Sequence, residues 1–199
     1  MNKSRVEAFT DAVLAVILTI MLLEFKTPSS LKFSAIYHEL PHLIVYAVGY
    51  LMIGVAWYNH HYMFGKTKRI TKRIYWSNNF WLFTTSFIPV ATAWVGEGIN
   101  ARGPELFYSL VYFLWFSSYI VLSHTIVNEN DKYGYHKAAT DIRATNVYRR
   151  ATKWQTFFIV IGAMVLALIF CPAMQLLIIA IQIGMNGYDT PKDGDRFIE

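Results

Sequence analysis

Hydrophobic positions along this chain gather into runs that approach ~20 residues, the length needed to cross a bilayer. Six such segments are expected, near residues 4–25, 41–65, 74–96, 104–127, 148–170 and 173–186. Pro41, Pro104 and Pro172 each stand where a helix would begin, a position that tolerates a missing N–H. The last two segments share one apolar stretch, broken at Phe170-Cys171-Pro172, which reads as a tight helical hairpin; one bent helix is the other reading. The final segment has only ~14 residues at ~1.5 Å each, so its length leaves a full crossing open. Between the fourth and fifth segments, 128–150 reads as a long polar connection, partly helical with a solvated charged face. The stretch 187–199 reads as a polar tail. The expected fold is an all-α integral membrane protein with six transmembrane helices per subunit, the last one short.

Composition agrees with that class, because 55% of residues are hydrophobic and only 16% charged, against roughly 25% charged in an ordinary soluble domain. The distribution of charge then sets an orientation. Lys3 and Arg5 precede the first segment, KTKRITKR follows the second, and Lys132, Lys137, Arg143, Arg149, Arg150 and Lys153 follow the fourth. With Lys192 and Arg196 in the tail, 15 of the 18 basic residues fall on one side; Lys26, Lys32 and Arg102 fall on the other. The positive-inside bias places both termini in the cytoplasm of a multi-pass cell-membrane protein, and an even number of crossings follows. The net charge of +5 does not imply nucleic acid, since no soluble basic domain carries it. The N-terminal run resembles a signal peptide, but it ends in Glu24-Phe25-Lys26 without a small-residue cleavage site, so a retained first helix is expected.

Chemistry-bearing patterns are sparse. No Gly-rich phosphate loop, Ser–His–Asp or Cys–His arrangement, or paired carboxylate site is present, so no enzyme class, cofactor or resident metal is expected. His60-His61 lacks the i, i+4 spacing that two helical ligands need. His38 and His42 have it, and read as a solvated pair at a membrane interface. The single cysteine, Cys171, reads as packing.

The exception is the opening of the first helix, where Arg5, Thr10 and Asp11 run into AVLAVILTIMLL. A charge at the edge of hydrocarbon is costly and normally has a partner or a task. On a wheel of about 100° per residue, Phe9, Ala12, Val16, Thr19, Ile20 and Leu23 share one stripe, while Thr10 and Asp11 point to the far side. Asp11 is therefore expected to meet donors on neighbouring helices, with Trp57, His60 and Asn78 the candidates at the same depth.

These residues carry a resemblance. Arg5-Val-Glu-Ala-Phe9-Thr10-Asp11 is similar to the R-x-x-x-F-S-D mark of the transmembrane protein 175 family of potassium channels, with Thr in place of Ser. Val55-Ala56-Trp57-Tyr58-Asn59-His60 matches VAW-x-x-H, and Asn78 lies eight residues before Ser86-Phe87-Ile88-Pro89, as in the family. The three blocks span the first three segments, about half the chain; the other half agrees only in hydropathy. The resemblance implies a homotetramer in lipid with potassium as the permeant ion and the first helix around a central pore. It places the narrow apolar layers on Val16, Ile20 and Leu23, and the selectivity-related threonine on Thr19.

The mechanism to be expected follows. No T-V-G-Y-G-like filter is present, so apolar rings that close by dewetting, with threonine hydroxyls as replacement oxygens, would govern a modestly potassium-selective channel. Arg5, Phe9, Thr10 and Asp11, with Trp57, His60 and Asn78, would brace the helix. A secondary transporter would want mid-membrane ionisable groups and internal repeats, and a non-conducting scaffold is the other alternative.

Overall fold

The structure is a computed structural model that describes residues 1–25, 27–28 and 30–190. The described residues form α-helices and one 3-10 turn, without strands. In chain order the helices are α1 (Lys3–Leu23), α2 (Ile36–Lys66, led by the 3-10 turn Phe33–Ala35), α3 (Lys72–Thr85), α4 (Ile88–Gly96), α5 (Arg102–Lys132), α6 (His136–Ala144), α7 (Asn146–Ala151), α8 (Trp154–Phe170) and α9 (Met174–Tyr188). Three of them, α1, the α2 unit and α5, are long and apolar enough to cross a membrane. Of the expected tail, 191–199 lies outside the described residues, as does Lys26.

Several boundaries differ from the sequence expectation for stated reasons. Pro41 lies inside α2 rather than at its start, because the helix and its 3-10 lead begin eight residues earlier. The third segment is two helices. Pro89 opens α4, where its missing N–H and its ring interrupt the ladder. The chain passes the break through Ser86 N–H to Leu82 O and Phe87 N–H to Thr84 O. The fifth segment begins later than expected, since α7 ends at Ala151 and α8 starts at Trp154. The 128–150 connection is almost wholly helical. α5 closes where Gly134, at φ 83°, lets Tyr135 N–H reach Asn130 O.

Polar contacts tie the helix ends into two groups. Lys3 Nζ donates to Gly65 O, Lys66 pairs with Asp141 at 3.0 Å, Arg73 with Glu129 at 3.6 Å, and Arg150 with Asp189. The basic connections therefore meet at one end of the bundle. At the other, the Phe25 and His42 rings meet, Arg102 donates to Ile169 O, and Asn100 accepts from Ala173 N–H. Inside, α3 and α5 are joined by Ser77–Thr125 and Thr84–Ser118 hydroxyl bonds, which link helices where apolar packing alone gives little driving force. Trp81, Ile74, Leu122 and Ile126 are sealed between them. Cys171 is exposed at the α8–α9 break, not packed as expected; the break turns its side chain outward.

Candidate functional site

α1 has two unlike faces. Val6, Thr10, Leu14, Ile17 and Met21 recur every three or four residues and are buried against the bundle. Phe9, Ala12, Val16, Thr19, Ile20 and Leu23 are exposed, with Val16 at 55%, Ile20 at 41% and Leu23 at 81%. The stripe isolated on the wheel is thus the face that the subunit leaves uncovered. Such a run of apolar side chains must meet lipid, another subunit or a dry channel. Thr19 interrupts it with a hydroxyl whose proton goes to Val16 O at 2.8 Å, so its lone pairs are turned outward.

The buried face is pinned at the motif end by a chain of hydrogen bonds. The Thr10 hydroxyl donates to Val6 O at 2.9 Å and accepts from Asn78 Nδ2 at 2.8 Å. Because Asn78 spends its amino group on Thr10, its carbonyl oxygen is the atom facing His60 Nε2, 2.8 Å away. An acceptor there assigns the proton to Nε2, which fixes the ring's tautomer. His60 is held flat by stacking on Phe64 and Trp81, at centroid distances of 4.1 and 5.1 Å. All three polar residues are buried, so α1, α2 and α3 share one water-free bond network.

Asp11 takes a different partner. Trp57 Nε1–H donates to Asp11 Oδ1 at 2.7 Å on the exposed side of α2, and the Trp57 indole stacks on His61. Of the three donors expected around Asp11, Trp57 meets it, while Asn78 donates to Thr10 and His60 donates to Asn78. Position on a wheel does not separate the two, because Thr10 and Asp11 are adjacent and both point away from the stripe. Arg5 and Phe9 are exposed and do not join the network.

One packing feature was not visible in the sequence. A side chain added at Gly49 would place its Cβ 2.6 Å from Met21 Cε and 3.2 Å from Thr92 Oγ1. Side chains of α1 and α4 thus approach α2 closely at Gly49, where an added methyl would require the flexible end of Met21 to shift. A glycine in an apolar helix is a weak signal for such contact. Of the His38–His42 pair, His38 is exposed and His42 Nδ1 lies 3.5 Å from Glu39.

The model of the endosomal/lysosomal potassium channel TMEM175 family matches residues 5–89. A potassium channel of Chryseobacterium sp. (strain P1-3) is 36% identical over 135 residues, covering 66% of this chain and 70% of that protein. A potassium channel of Streptomyces collinus is 34% identical over 102 residues, about half of each chain. In fold, a crystal structure of a lysosomal potassium-selective channel TMEM175 homolog from Chamaesiphon minutus superposes with a TM-score of 0.66 at 19% identity, covering 93% of this chain and 97% of that one.

Proposed function

The chain belongs to the TMEM175 family of potassium channels, and on that premise we propose that it conducts potassium through a pore whose wall is the exposed stripe of α1. It is a multi-pass membrane protein of a channel family, not an enzyme. The finer reading is a homotetramer with six crossings per subunit, α3 and α4 together making the third, and both termini on the cytoplasmic side. α9, with 15 residues, is the short last crossing.

The observation that carries this reading is the division of α1 into a pinned face and a bare one. Four copies of Val16, Ile20 and Leu23 would form stacked apolar rings. A hydrated ion enters such a ring only by shedding water that the wall does not replace, so a narrow ring closes by dewetting. Four Thr19 hydroxyl oxygens, one helical turn beyond Val16, would offer partial replacement. Potassium sheds water at lower cost than sodium, so selectivity would be present but modest. The Thr10–Asn78–His60 chain would hold the motif end while the Leu23 end tilts or turns. Arg5, Phe9 and Asp11 would face neighbouring subunits or the pore mouth.

The test is chemical. Val16→Cys or Leu23→Cys, labelled with a bulky charged thiol reagent, should block potassium flux in proteoliposomes. Flux unchanged after complete labelling refutes the pore wall. The native thiol at Cys171, which is exposed, is first replaced by serine so that the label reports only α1.

A further inference from the structure

At the end of the bundle away from the motif, buried polar groups lack the partners found at Thr10. Glu105, in the first turn of α5, is 0% exposed. Neither of its carboxyl oxygens makes a hydrogen bond, and it forms no ion pair, among the described residues. On the same helix and on α4 and α9, the hydroxyls of Tyr108 and Thr92 and the amide nitrogen of Gln175 are also buried without a hydrogen-bond partner. Tyr108 lies one turn along the same face of α5, close enough to feel the charge of Glu105, with Thr92 of α4 next to its hydroxyl. Gln175 of α9 is drawn in by Ser109, whose hydroxyl donates to its carbonyl oxygen.

The surroundings offer no counter-charge. α4 and α8 contain no ionisable side chain, and α9 has only Tyr188 at its far end. α3 presents Ser77, Asn78, Asn79, Thr84 and Thr85 along its second half. Arg102 is exposed and turned to Ile169 O. On α2, His42 packs on Gly96 and is occupied with Glu39, and Glu97, just beyond α4, is exposed. The N-terminal dipole of α5 favours an anion at Glu105, but that term is small beside the cost of an unpaired charge sealed from water. A metal or hydrated cation needs room that atoms cut off from solvent do not leave. A proton needs none, and it turns an acceptor-only carboxylate into a group that donates as well as accepts.

We infer that Glu105 is a proton-binding site, held as a neutral carboxylic acid. Loss of the proton would leave a bare charge among α4, α5 and α9 and force their packing apart. Thr92 Oγ1 and Met21 Cε both border Gly49 of α2, so movement of α4 is felt where the buried face of α1 meets α2. Where it touches ion flow, the inference rests on the reading of α1 as the pore wall.

Infrared difference spectroscopy of the protein in lipid nanodiscs at about neutral pH, where surface carboxyls are ionised, reads the proton directly. A carboxylic-acid carbonyl band should be present, move on isotope labelling of glutamate, and vanish in Glu105→Gln. Absence of such a band in the native protein, or its survival in Glu105→Gln, overturns the site; the labelled native protein serves if that variant fails to fold. Flux gives a separate answer. Potassium flux that changes several-fold on raising the pH, with the change lost in Glu105→Gln, supports the link to α1. Equal pH response in both proteins removes that link while the band retains the site. No native flux at any pH refutes the channel reading and, with it, the link.

Discussion

Thr10→Val is a close test of the anchor, because it exchanges one hydroxyl for a methyl group at nearly constant shape. Thr10 and Asn78 are each 0% exposed, so no water replaces the lost acceptor. The Val6 carbonyl loses little, since it keeps a place in the helix ladder. Asn78 Nδ2, 2.8 Å from the deleted oxygen, becomes a buried donor without a partner, which costs about 1–3 kcal/mol in soluble proteins. Hydrogen bonds between helices in membranes average nearer ~0.6 kcal/mol with a maximum of ~1.7. The expected loss is therefore about 1–2 kcal/mol, against ~0.5 or less for Thr10→Ser, which keeps the hydroxyl. Unfolding in mixed detergent micelles, followed by tryptophan fluorescence, measures both. A double-mutant cycle with Asn78→Leu should give a coupling of similar size, since that change removes the same bond together with the acceptor of His60. Equal stability of the valine and serine variants, or zero coupling, would show that the network does not hold α1 in place.

Other outcomes follow from the same geometry. Asp11→Asn keeps an acceptor for the Trp57 indole, whereas Trp57→Phe removes the donor; both should leave potassium preference intact, and the second should alter assembly or opening in single-channel records more than the first. Gly49→Ala should change stability by no more than about 1 kcal/mol, because the new methyl meets the flexible end of Met21 while alanine favours the helix by a similar amount; a loss of several kcal/mol in the same unfolding assay would show that Met21 has no room to move. Thr19→Ala should lower the potassium/sodium permeability ratio from bi-ionic reversal potentials while leaving Thr10-dependent stability unchanged; an unaltered ratio would exclude the hydroxyl as a selectivity element.

Much of this protein could be read before its folding was considered. Run length and charge distribution identify a membrane chain, and a period of 3.6 residues separates the bare face of α1 from its buried one. Those features are local, since they depend on how a residue type partitions between lipid and water and on one helix's own geometry. Partners are not local. Thr10 rather than Asp11 receives Asn78 because α3 packs on the buried face of α1, and Asp11, about 100° further round the helix, is left to Trp57 of α2. The split at Pro89 illustrates the same limit, since a proline can either open a helix or bend one and only the packing of α4 against α1 and α2 decides. Glu105 could be seen as a carboxylate near a helix start, an ordinary place for one. That it is sealed without a hydrogen-bond partner is decided by the helices that pack around the start of α5, because burial is a property of what surrounds a residue and is not written in the residue itself.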